Sequence, residues 1–256
     1  MQKMRSKLIR RIQKALQVWL SFLVEKAIYP NESPSASRGL VLRISGNAKS
    51  PRLESLFSIH GSDKGWDGTS HTPFAWAPHN YADFYEFLFM ARRNSVRTVV
   101  ECGIGTNNTD VASNMTSTGK PGASLRAWRD YFPHANIIGL DIDSRILFSE
   151  DRIQTFQVDQ TDSEGVRRFW ESSGISDVDI IIDDGLHTFE AGVSFFESSI
   201  ERLHRAGIFI IEDVVPDALE LFTAYFHRRP ETVHYLQLFR KGAPIGDNTL
   251  IVIQPA

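Results

Sequence analysis

Residues 97–105 read RTVVECGIG, and this stretch decides the fold class. The β-branched run predicts a buried strand, which ends in the acidic residue Glu101. Gly103 and Gly105 follow at once, and glycines in this position allow a tight turn and a close approach of backbone to a nucleotide-like ligand. We therefore expect the first strand of a doubly wound α/β sheet, with a ligand held by the loop that follows it.

Strands alternate with helices from this point onward, which is typical of a parallel sheet covered on both faces. Strands are expected at 98–102, 136–140, 154–158, 179–182, 207–211, 233–239 and 249–253, and helices at 81–92, 124–131, 164–172, 189–204 and 218–227. The segment between the last two strands contains Gly and Pro but no helical pattern. It is too short for a parallel crossover, so these two strands should form an antiparallel hairpin.

Polar residues follow the second and third predicted strands at the edge where ligands bind in such sheets. Asp141 ends the second strand, and a carboxylate there can accept hydrogen bonds from both hydroxyls of a ribose. Asp159 and Gln160 end the third strand, where we expect them to read an adenine edge. Ser124 is a good N-cap for the helix between the first two strands, and that helix terminus would face the charged tail of a cofactor. The pattern predicts an adenosine-containing cofactor, and the lack of a complete GxGxxG argues against NAD.

Acidic residues follow the fourth and fifth predicted strands, whose ends should lie side by side. The fourth strand leads into Asp183, Asp184 and then His187, and the fifth into Glu212 and Asp213. Carboxylates that converge in this way repel one another unless a cation neutralises them. Oxygen ligands suit a hard divalent ion, so the sequence predicts Mg²⁺ here. Successive strand residues point to opposite sides, which leaves open whether Asp183 or Asp184 faces the ion.

His187 is the candidate general base. A neutral histidine beside an ion-bound hydroxyl can take up the proton that is released as the hydroxyl becomes a nucleophile. The alternative for His187 is a histidine at a helix start, bonded to backbone. The alternative for the preceding carboxylates is a cap on the helix that begins near Phe189, which could account for one of them.

The part before residue 96 divides into two segments. We expect residues 1–39 to form a basic amphipathic helix and linker, since Lys and Arg precede an apolar run at 15–24 and Asn, Ser, Pro and Gly follow Pro30. The run has no convincing signal-cleavage site and is too short to span a bilayer. It either docks on protein or lies on an anionic membrane surface. Residues 40–95 are an aromatic-rich segment, either a lid or substrate wall or a set of surface loops, and 96–256 form the cofactor domain.

Composition narrows the class of protein. The length of 256 residues allows one full-sized core with an appendage, and the net charge of −3 gives no case for nucleic-acid binding. The single cysteine, Cys102, forms no intrachain disulfide, so we expect a reducing compartment, the cytoplasm, with membrane association through the basic helix left open. Cys102 is interpreted as a core residue rather than a nucleophile.

Taken together, these motifs resemble class I S-adenosylmethionine-dependent methyltransferases, and more narrowly the metal-dependent sugar O-methyltransferases of macrolide biosynthesis, the mycinamicin and macrocin type. The matching stretches are Glu101–Gly105, Gly122–Arg126, Gly139–Asp143, Asp159–Gln160, Asp183–His187 and Ile211–Asp213. Leu186 departs from the pattern, where these enzymes often have a small polar residue. The amino-terminal part does not match with comparable clarity.

The resemblance implies a Rossmann-like sheet of seven strands in the order 3-2-1-4-5-7-6 with the last strand antiparallel, and S-adenosylmethionine and Mg²⁺ as cofactors. By the same resemblance His187 is the general base, and Mg²⁺ is held by Asp184, Glu212 and Asp213. The cofactor site would be lined by Glu101, Gly103, Gly105, Ser124, Asp141, Asp159, Gln160 and Asp183.

We therefore expect an O-methyltransferase that acts on a hydroxyl, of a sugar on a glycosylated natural product or a glycolipid. Two alternatives stay open: a catechol-type methyltransferase, and a non-catalytic cofactor-binding or membrane-scaffold protein. The expected partner is a small-molecule or glycolipid acceptor and not nucleic acid, and the sequence does not decide whether the chain forms a homo-oligomer.

Overall fold

The computed structural model describes residues 52–65, 74, 76–239 and 246–256. The basic helix and linker predicted at 1–39 therefore lie outside the described residues. So do the first part of the aromatic segment, residues 40–51, and the middle of that segment around Trp66 and His71.

A single sheet forms the centre of the described part of the chain. Its strands are β1 Thr98–Cys102, β2 Asn136–Asp141, β3 Ser149–Glu150, β4 Ile153–Gln157, β5 Val178–Asp183, β6 Leu203–Ile211, β7 Thr232–Gln237 and β8 Thr249–Gln254. Within the described residues these eight strands lie in the order β3-β4-β2-β1-β5-β6-β8-β7. The accompanying helices are α1 Arg52–His60, α2 Tyr81–Phe89, α3 Ala123–Tyr131, α4 Ser163–Ser173, α5 Phe189–Ser199 and α6 Pro216–Phe226.

The strand order confirms the predicted topology with one addition. Strand β1 pairs in parallel with β2 and β5, while β8 pairs antiparallel with both β6 and β7. Without β3 the order is the expected 3-2-1-4-5-7-6, and the last two strands form the expected hairpin. The additional strand, Ser149–Glu150, pairs antiparallel with β4 at the sheet edge. A strand of two residues is too short to produce an alternating pattern, so the sequence did not predict it.

Two helix predictions were wrong at their bounds. The helix predicted at 189–204 ends at Ser199, a 3₁₀ turn covers Ile200–Arg202, and β6 begins at Leu203. The apolar pattern continues from the helix into the strand, so periodicity alone did not separate them. The helix predicted at 81–92 ends earlier, at Phe89.

Helix α1 was not predicted as a separate helix. It has nine residues, and the glycines and aromatics that follow it suggested irregular backbone. Leu53 and Phe57 lie four positions apart on one face, and both are fully buried.

The core has one layer on each face of the sheet. Helices α1, α2 and α3 cover the first face, where the buried rings of Phe57 and Tyr85 each contact the ring of Trp128. Helices α4, α5 and α6 cover the second face, around Trp170 and Phe196. Among the helices of the described residues, none has the length and apolar content that a bilayer crossing requires.

Candidate active site

A cavity of about 620 Å³ opens at the ends of β1, β2, β5 and β6. The connector between α1 and α2 also lines it through Gly61 and Lys64, as do Trp76 and His79 before α2. The predicted site residues that line this cavity are Gly103, Gly105, Ser124, Asp141, Asp159, Gln160, Asp184, His187, Glu212 and Asp213. Glu101 and Asp183 are buried, with exposed fractions of 0% and 3%. The structure thus brings the predicted cofactor-binding residues and the predicted metal-binding residues to one cavity.

The glycine loop after β1 is in backbone contact with the acidic end of β5. Gly103 has a φ of +85°, and a Cβ added to it would lie 2.0 Å from the carbonyl oxygen of Asp184. The amide of Asp184 donates to the carbonyl of Cys102 at 2.8 Å, and the amide of Gly103 donates to Leu140 at 2.8 Å. Only glycine can adopt this positive φ readily and also lacks the Cβ that would clash with the backbone of Asp184.

Asp141 holds the glycine loop against β2. Its Oδ2 accepts from the amide of Ile104 at 3.0 Å and its Oδ1 accepts from the amide of Asp143 at 2.9 Å. Burial raises the pKa of Asp141, and these backbone hydrogen bonds act in the opposite direction. The carboxylate lines the cavity, so it both fixes the loop and borders the predicted ribose position.

Ser124 is not the N-cap that the sequence suggested. Helix α3 begins at Ala123 and its N-cap is Gly122, with a φ of +70°, so Ser124 is the second residue of the helix. A left-handed glycine before the helix replaces side-chain capping, and Ser124 still lines the cavity from the first turn.

Gln160 joins the loops after β4 and β5. Its Oε1 accepts from the amide of Leu186 at 2.7 Å, and its Nε2 donates to Oδ1 of Asp183 at 3.0 Å. Asp159 is half-buried and accepts from both the amide and the hydroxyl of Thr161. Gln160 therefore orders the floor of the cavity in addition to bordering it.

Asp183 and Asp184 point in different directions, as alternation along a strand requires. Asp184 lines the large cavity, whereas Asp183 is buried and its Oδ2 has no hydrogen-bond partner among the residues described. Burial raises the pKa of Asp183 to about 6, although Gln160 lowers it in part. Of this pair, Asp184 is the carboxylate that can reach a ligand in the large cavity.

Lys64 inserts its ammonium among three carboxylates. Its Nζ lies 2.5 Å from Oε2 of Glu212, 2.6 Å from Oδ2 of Asp184 and 3.4 Å from Oε1 of Glu101. Burial alone would lower the pKa of Lys64, but the three negative charges outweigh it and hold that pKa well above its usual value. Sequence reasoning placed Lys64 only in the segment interpreted as a lid, substrate wall or surface loops, because a lone lysine in the stretch GSDKG has no pattern that distinguishes it from a surface side chain.

Asp213 lies between two histidines. Its Oδ2 is 3.9 Å from Nδ1 of His187, and its Oδ1 is 3.5 Å from Nε2 of His79. Tyr81 donates its hydroxyl to Oδ1 at 2.7 Å, and burial followed by the charge of Asp213 raises the pKa of Tyr81. Both Asp213 and His187 have a positive φ, +55° and +58°, which is uncommon outside glycine and concentrates at functional sites.

The donor set fits a hard divalent ion at one side of this cluster. Asp184, His187 and Asp213 each offer one ligand atom, and these atoms lie within 4.8 Å of one another. Nδ1 of His187 is buried without a hydrogen-bond partner in the described part of the chain. Glu212 differs, because Lys64 binds one of its oxygens and the hydroxyl of Tyr85 binds the other at 2.5 Å. The oxygens of Asp184 and Asp213 can therefore meet an ion more readily than those of Glu212.

Curated proteins similar in sequence are sugar O-methyltransferases. The chain is 33% identical over 164 residues to the 8-demethyl-8-alpha-L-rhamnosyl tetracenomycin-C 2'-O-methyltransferase of Streptomyces olivaceus, covering 64% of this chain and 38% of that enzyme. It is 32% identical over 148 residues to the mycinamicin VI 2''-O-methyltransferase of Micromonospora griseorubida, covering 58% of this chain and 33% of that enzyme. The chain thus spans less than two fifths of the length of these relatives. No protein-family model matches it.

A solved structure with a similar fold is the MycE methyltransferase of the mycinamycin pathway, in complex with Mg, SAH and mycinamycin VI. The TM-score is 0.57 at 24% sequence identity, and the alignment covers 80% of this chain and 55% of that one. The likeness shows that the described sheet and helices have the fold of class I S-adenosylmethionine-dependent methyltransferases.

Proposed function

We propose that this chain is a Mg²⁺-dependent O-methyltransferase, which moves a methyl group from S-adenosylmethionine to a hydroxyl of a sugar on a glycosylated natural product or glycolipid. The observation that carries the proposal is the single cavity in which the loop of Gly103 meets Asp184, His187 and Asp213. The names of the similar curated proteins support the sugar as acceptor.

The cofactor would lie along the glycine loop. Gly103 and Gly105 line the cavity with their backbone, and Asp141 presents a carboxylate where the ribose is expected. Glu101 is buried beside Lys64 and Trp128, so in this proposal it shapes the cofactor site from within rather than by exposed contact.

When bound, the cofactor supplies an electrophilic methyl group and Mg²⁺ supplies positive charge that lowers the pKa of the acceptor hydroxyl. Asp184 and Asp213 would hold the ion, with Glu212 as a third ligand. His187 takes the hydroxyl proton on its imidazole, and the neighbouring carboxylate of Asp213 stabilises the imidazolium that forms. The cavity walls orient the two reactants, which accounts for much of the expected acceleration.

The cellular setting is part of the proposal. The lone buried Cys102 supports a reducing compartment, and we propose the cytoplasm. Contact with an anionic membrane or with a second subunit would use the basic segment within residues 1–39, which lies outside the described part.

The test is methyl transfer from S-adenosylmethionine to a panel of glycosides and catechols, with Mg²⁺ or with chelator. We expect product from a glycoside that disappears with chelator. His187→Ala should reduce single-turnover transfer about 10²- to 10⁴-fold while binding of S-adenosylhomocysteine persists. His134→Ala, which removes an exposed histidine from the turn before β2, is the matched control and should keep wild-type transfer.

Each outcome of the panel decides between the candidates. Unchanged transfer by His187→Ala would remove that histidine from its role. Transfer to catechols alone would favour the catechol-type alternative, and cofactor binding without transfer to either group would favour a non-catalytic protein.

A further inference from the structure

Lys64 is a buried cation that binds two of the three carboxylates proposed to hold the metal ion. Its side chain has 3% exposure and reaches three strands of the sheet, β1 through Glu101, β5 through Asp184 and the end of β6 through Glu212. A fixed positive charge at this point bears directly on how a divalent ion could bind.

The backbone around Lys64 is firmly held. The amides of Gly61 and Ser62 donate to the carbonyl of Phe57 at 2.8 and 2.9 Å, which closes the end of α1. The carbonyl of Lys64 accepts from the amide of Ala82 at 3.0 Å, at the start of α2. A shift of the ammonium would therefore come from the Lys64 side chain, with the backbone of residues 61–64 held in place.

The ammonium and a divalent ion compete for the same oxygens. Nζ lies 2.6 Å from Oδ2 of Asp184 and 2.5 Å from Oε2 of Glu212, and both residues are expected ligands of Mg²⁺. Mg²⁺ binds oxygens at about 2.0–2.1 Å, so an ion shared by these two carboxylates would lie very close to Nζ. Two like charges at such a separation repel strongly in a buried site.

A second acceptor for the ammonium lies next to the first pair. Oε1 of Glu101 is 3.4 Å from Nζ, and this buried oxygen has no hydrogen-bond partner among the described residues. The other oxygen of Glu101 already accepts from Nε1 of Trp128 at 2.6 Å, which fixes the carboxylate in place. A small shift of Nζ would bring it into full contact with Glu101.

We propose that Lys64 is a built-in competitor of the divalent ion: its ammonium occupies the Asp184–Glu212 pair in the metal-free protein and moves towards Glu101 when the ion binds. The inference rests on the proposed function, because it takes the metal site as its premise. Lys64 is then a positioning residue that neutralises the cluster before the metal arrives and sets how tightly the metal is held.

The test measures Mn²⁺ binding by electron paramagnetic resonance in the full chain, without cofactor or acceptor. Lys64→Met should bind Mn²⁺ at least about tenfold more tightly than wild type, because the competing charge is gone. Lys64→Arg keeps a cation and should not gain affinity. Arg167→Met, which removes an exposed cation from α4 outside this cavity, is the matched control and should match wild type.

Glu101→Gln tests the second position of the ammonium. It should weaken Mn²⁺ binding several-fold in the wild-type background, since the displaced ammonium loses its acceptor carboxylate. It should have no such effect in the Lys64→Met background, so the double variant should bind like Lys64→Met alone. This arm remains decisive if Lys64→Met alone does not fold, because Glu101→Gln in the wild-type background leaves Lys64 in place.

Two results would overturn the inference alone: wild type that binds Mn²⁺ and transfers methyl groups while folded Lys64→Met binds the metal equally or less tightly, or Glu101→Gln that leaves Mn²⁺ binding unchanged. Mn²⁺ binding by neither wild type nor Lys64→Met would overturn the metal site, and with it the proposed function. The two failures are thereby distinguished.

Discussion

Gly103 has the most restricted backbone position in the candidate site. Its φ is +85°, and a Cβ there would lie 2.0 Å from the carbonyl oxygen of Asp184, an atom of the backbone that cannot move aside like a side chain. We expect Gly103→Ala to lower the free energy of unfolding by at least about 2 kcal/mol and to abolish binding of S-adenosylhomocysteine. Chemical denaturation and calorimetric titration measure the two effects.

The control is Gly174→Ala, at the end of α4. Gly174 also has a positive φ, +65°, but a Cβ there meets nothing within 4 Å. It should cost about 1 kcal/mol of stability and leave ligand binding unchanged. Equal losses from the two variants would show that the left-handed conformation alone, and not the crossing with Asp184, constrains Gly103.

The raised pKa of Asp183 leads us to predict that the stability of the fold depends on pH. Burial raises its pKa from 3.8 to about 6, so between these pH values the folded chain holds a proton that the unfolded chain has released. The free energy of unfolding from this group therefore falls as pH rises through that window, by up to about 3 kcal/mol, and the loss is complete above pH 6. Asp183→Asn does not titrate, so its stability relative to wild type should rise by up to that amount from pH 4 to pH 7.

Urea unfolding of both proteins at several pH values in the presence of chelator measures this difference. The slope of the difference with pH is the readout, because the substitution also changes the hydrogen bond with Gln160 by a pH-independent amount. A flat difference would mean that Asp183 ionises near its usual pKa and is better solvated than its burial indicates.

Single residues differ in how far sequence predicts them. Gly103 and Asp184 were expected at one edge of the sheet and both line the same cavity, because a glycine after a strand and a carboxylate at a strand end have local patterns. Lys64, Tyr85 and His79 were expected only as part of a lid, substrate wall or surface loops, and their contacts with the acidic cluster were not predicted, since these depend on where α1 and α2 pack against the sheet. The packing of α1 and α2 depends on contacts between residues far apart in the chain, and such contacts produce no local sequence pattern.

Helix α1 ends four residues before Lys64, and its stability depends on tertiary contacts. It has nine residues, a length at which a helix is marginal without packing. Phe57 is fully buried, and its ring lies edge-on to Trp128 with centroids 5.0 Å apart. Phe57→Ala should therefore lower the free energy of unfolding by about 3–5 kcal/mol, measured by denaturant titration.

Ile59 is the control on the same helix, because 70% of its surface is exposed. Ile59→Ala should change stability by no more than about 0.5 kcal/mol. Similar losses from the two variants would indicate that helix formation itself, rather than contact with α3, limits stability.

At the level of helices and strands, the sequence predicted those with a strong local signal. The β7–β8 hairpin was confirmed, because a short connection rich in Gly and Pro rules out a parallel crossover. The bound between α5 and β6 was wrong, because Phe196, Ile200 and Leu203 continue the helical spacing of apolar residues past the true end of α5. Helix α1 was missed because the glycines and aromatics that follow it suggested irregular backbone, although α2 and α3 have the same length of nine residues and were predicted.

The cavity has a cofactor side, at the glycine loop and Asp141, and a metal side, at His187 and Asp213, and we predict that the two sides bind their ligands independently. Asp141 fixes the glycine loop on the β1–β2 side, while Asp213 lies beyond β6 next to His187. The glycine loop and the end of β5 are joined through backbone, because the amide of Asp184 donates to the carbonyl of Cys102 and Gly103 lies against the backbone of Asp184. The carboxylates of Asp141 and Asp213, however, are bonded to different partners. Each ligand should therefore bind when the other side is damaged.

We expect Asp141→Asn to lose cofactor binding and keep Mn²⁺ binding, and Asp213→Asn to show the reverse. In wild type, S-adenosylhomocysteine at 100 times its Kd should stabilise the fold by about 2.7 kcal/mol, which thermal unfolding detects. Asp213→Asn should keep this gain, whereas Asp141→Asn should lose it because an amide cannot accept hydrogen bonds at both of its terminal atoms. If either substitution abolished both ligands in a protein that still unfolds cooperatively, the cavity would act as one indivisible site rather than two adjoining ones.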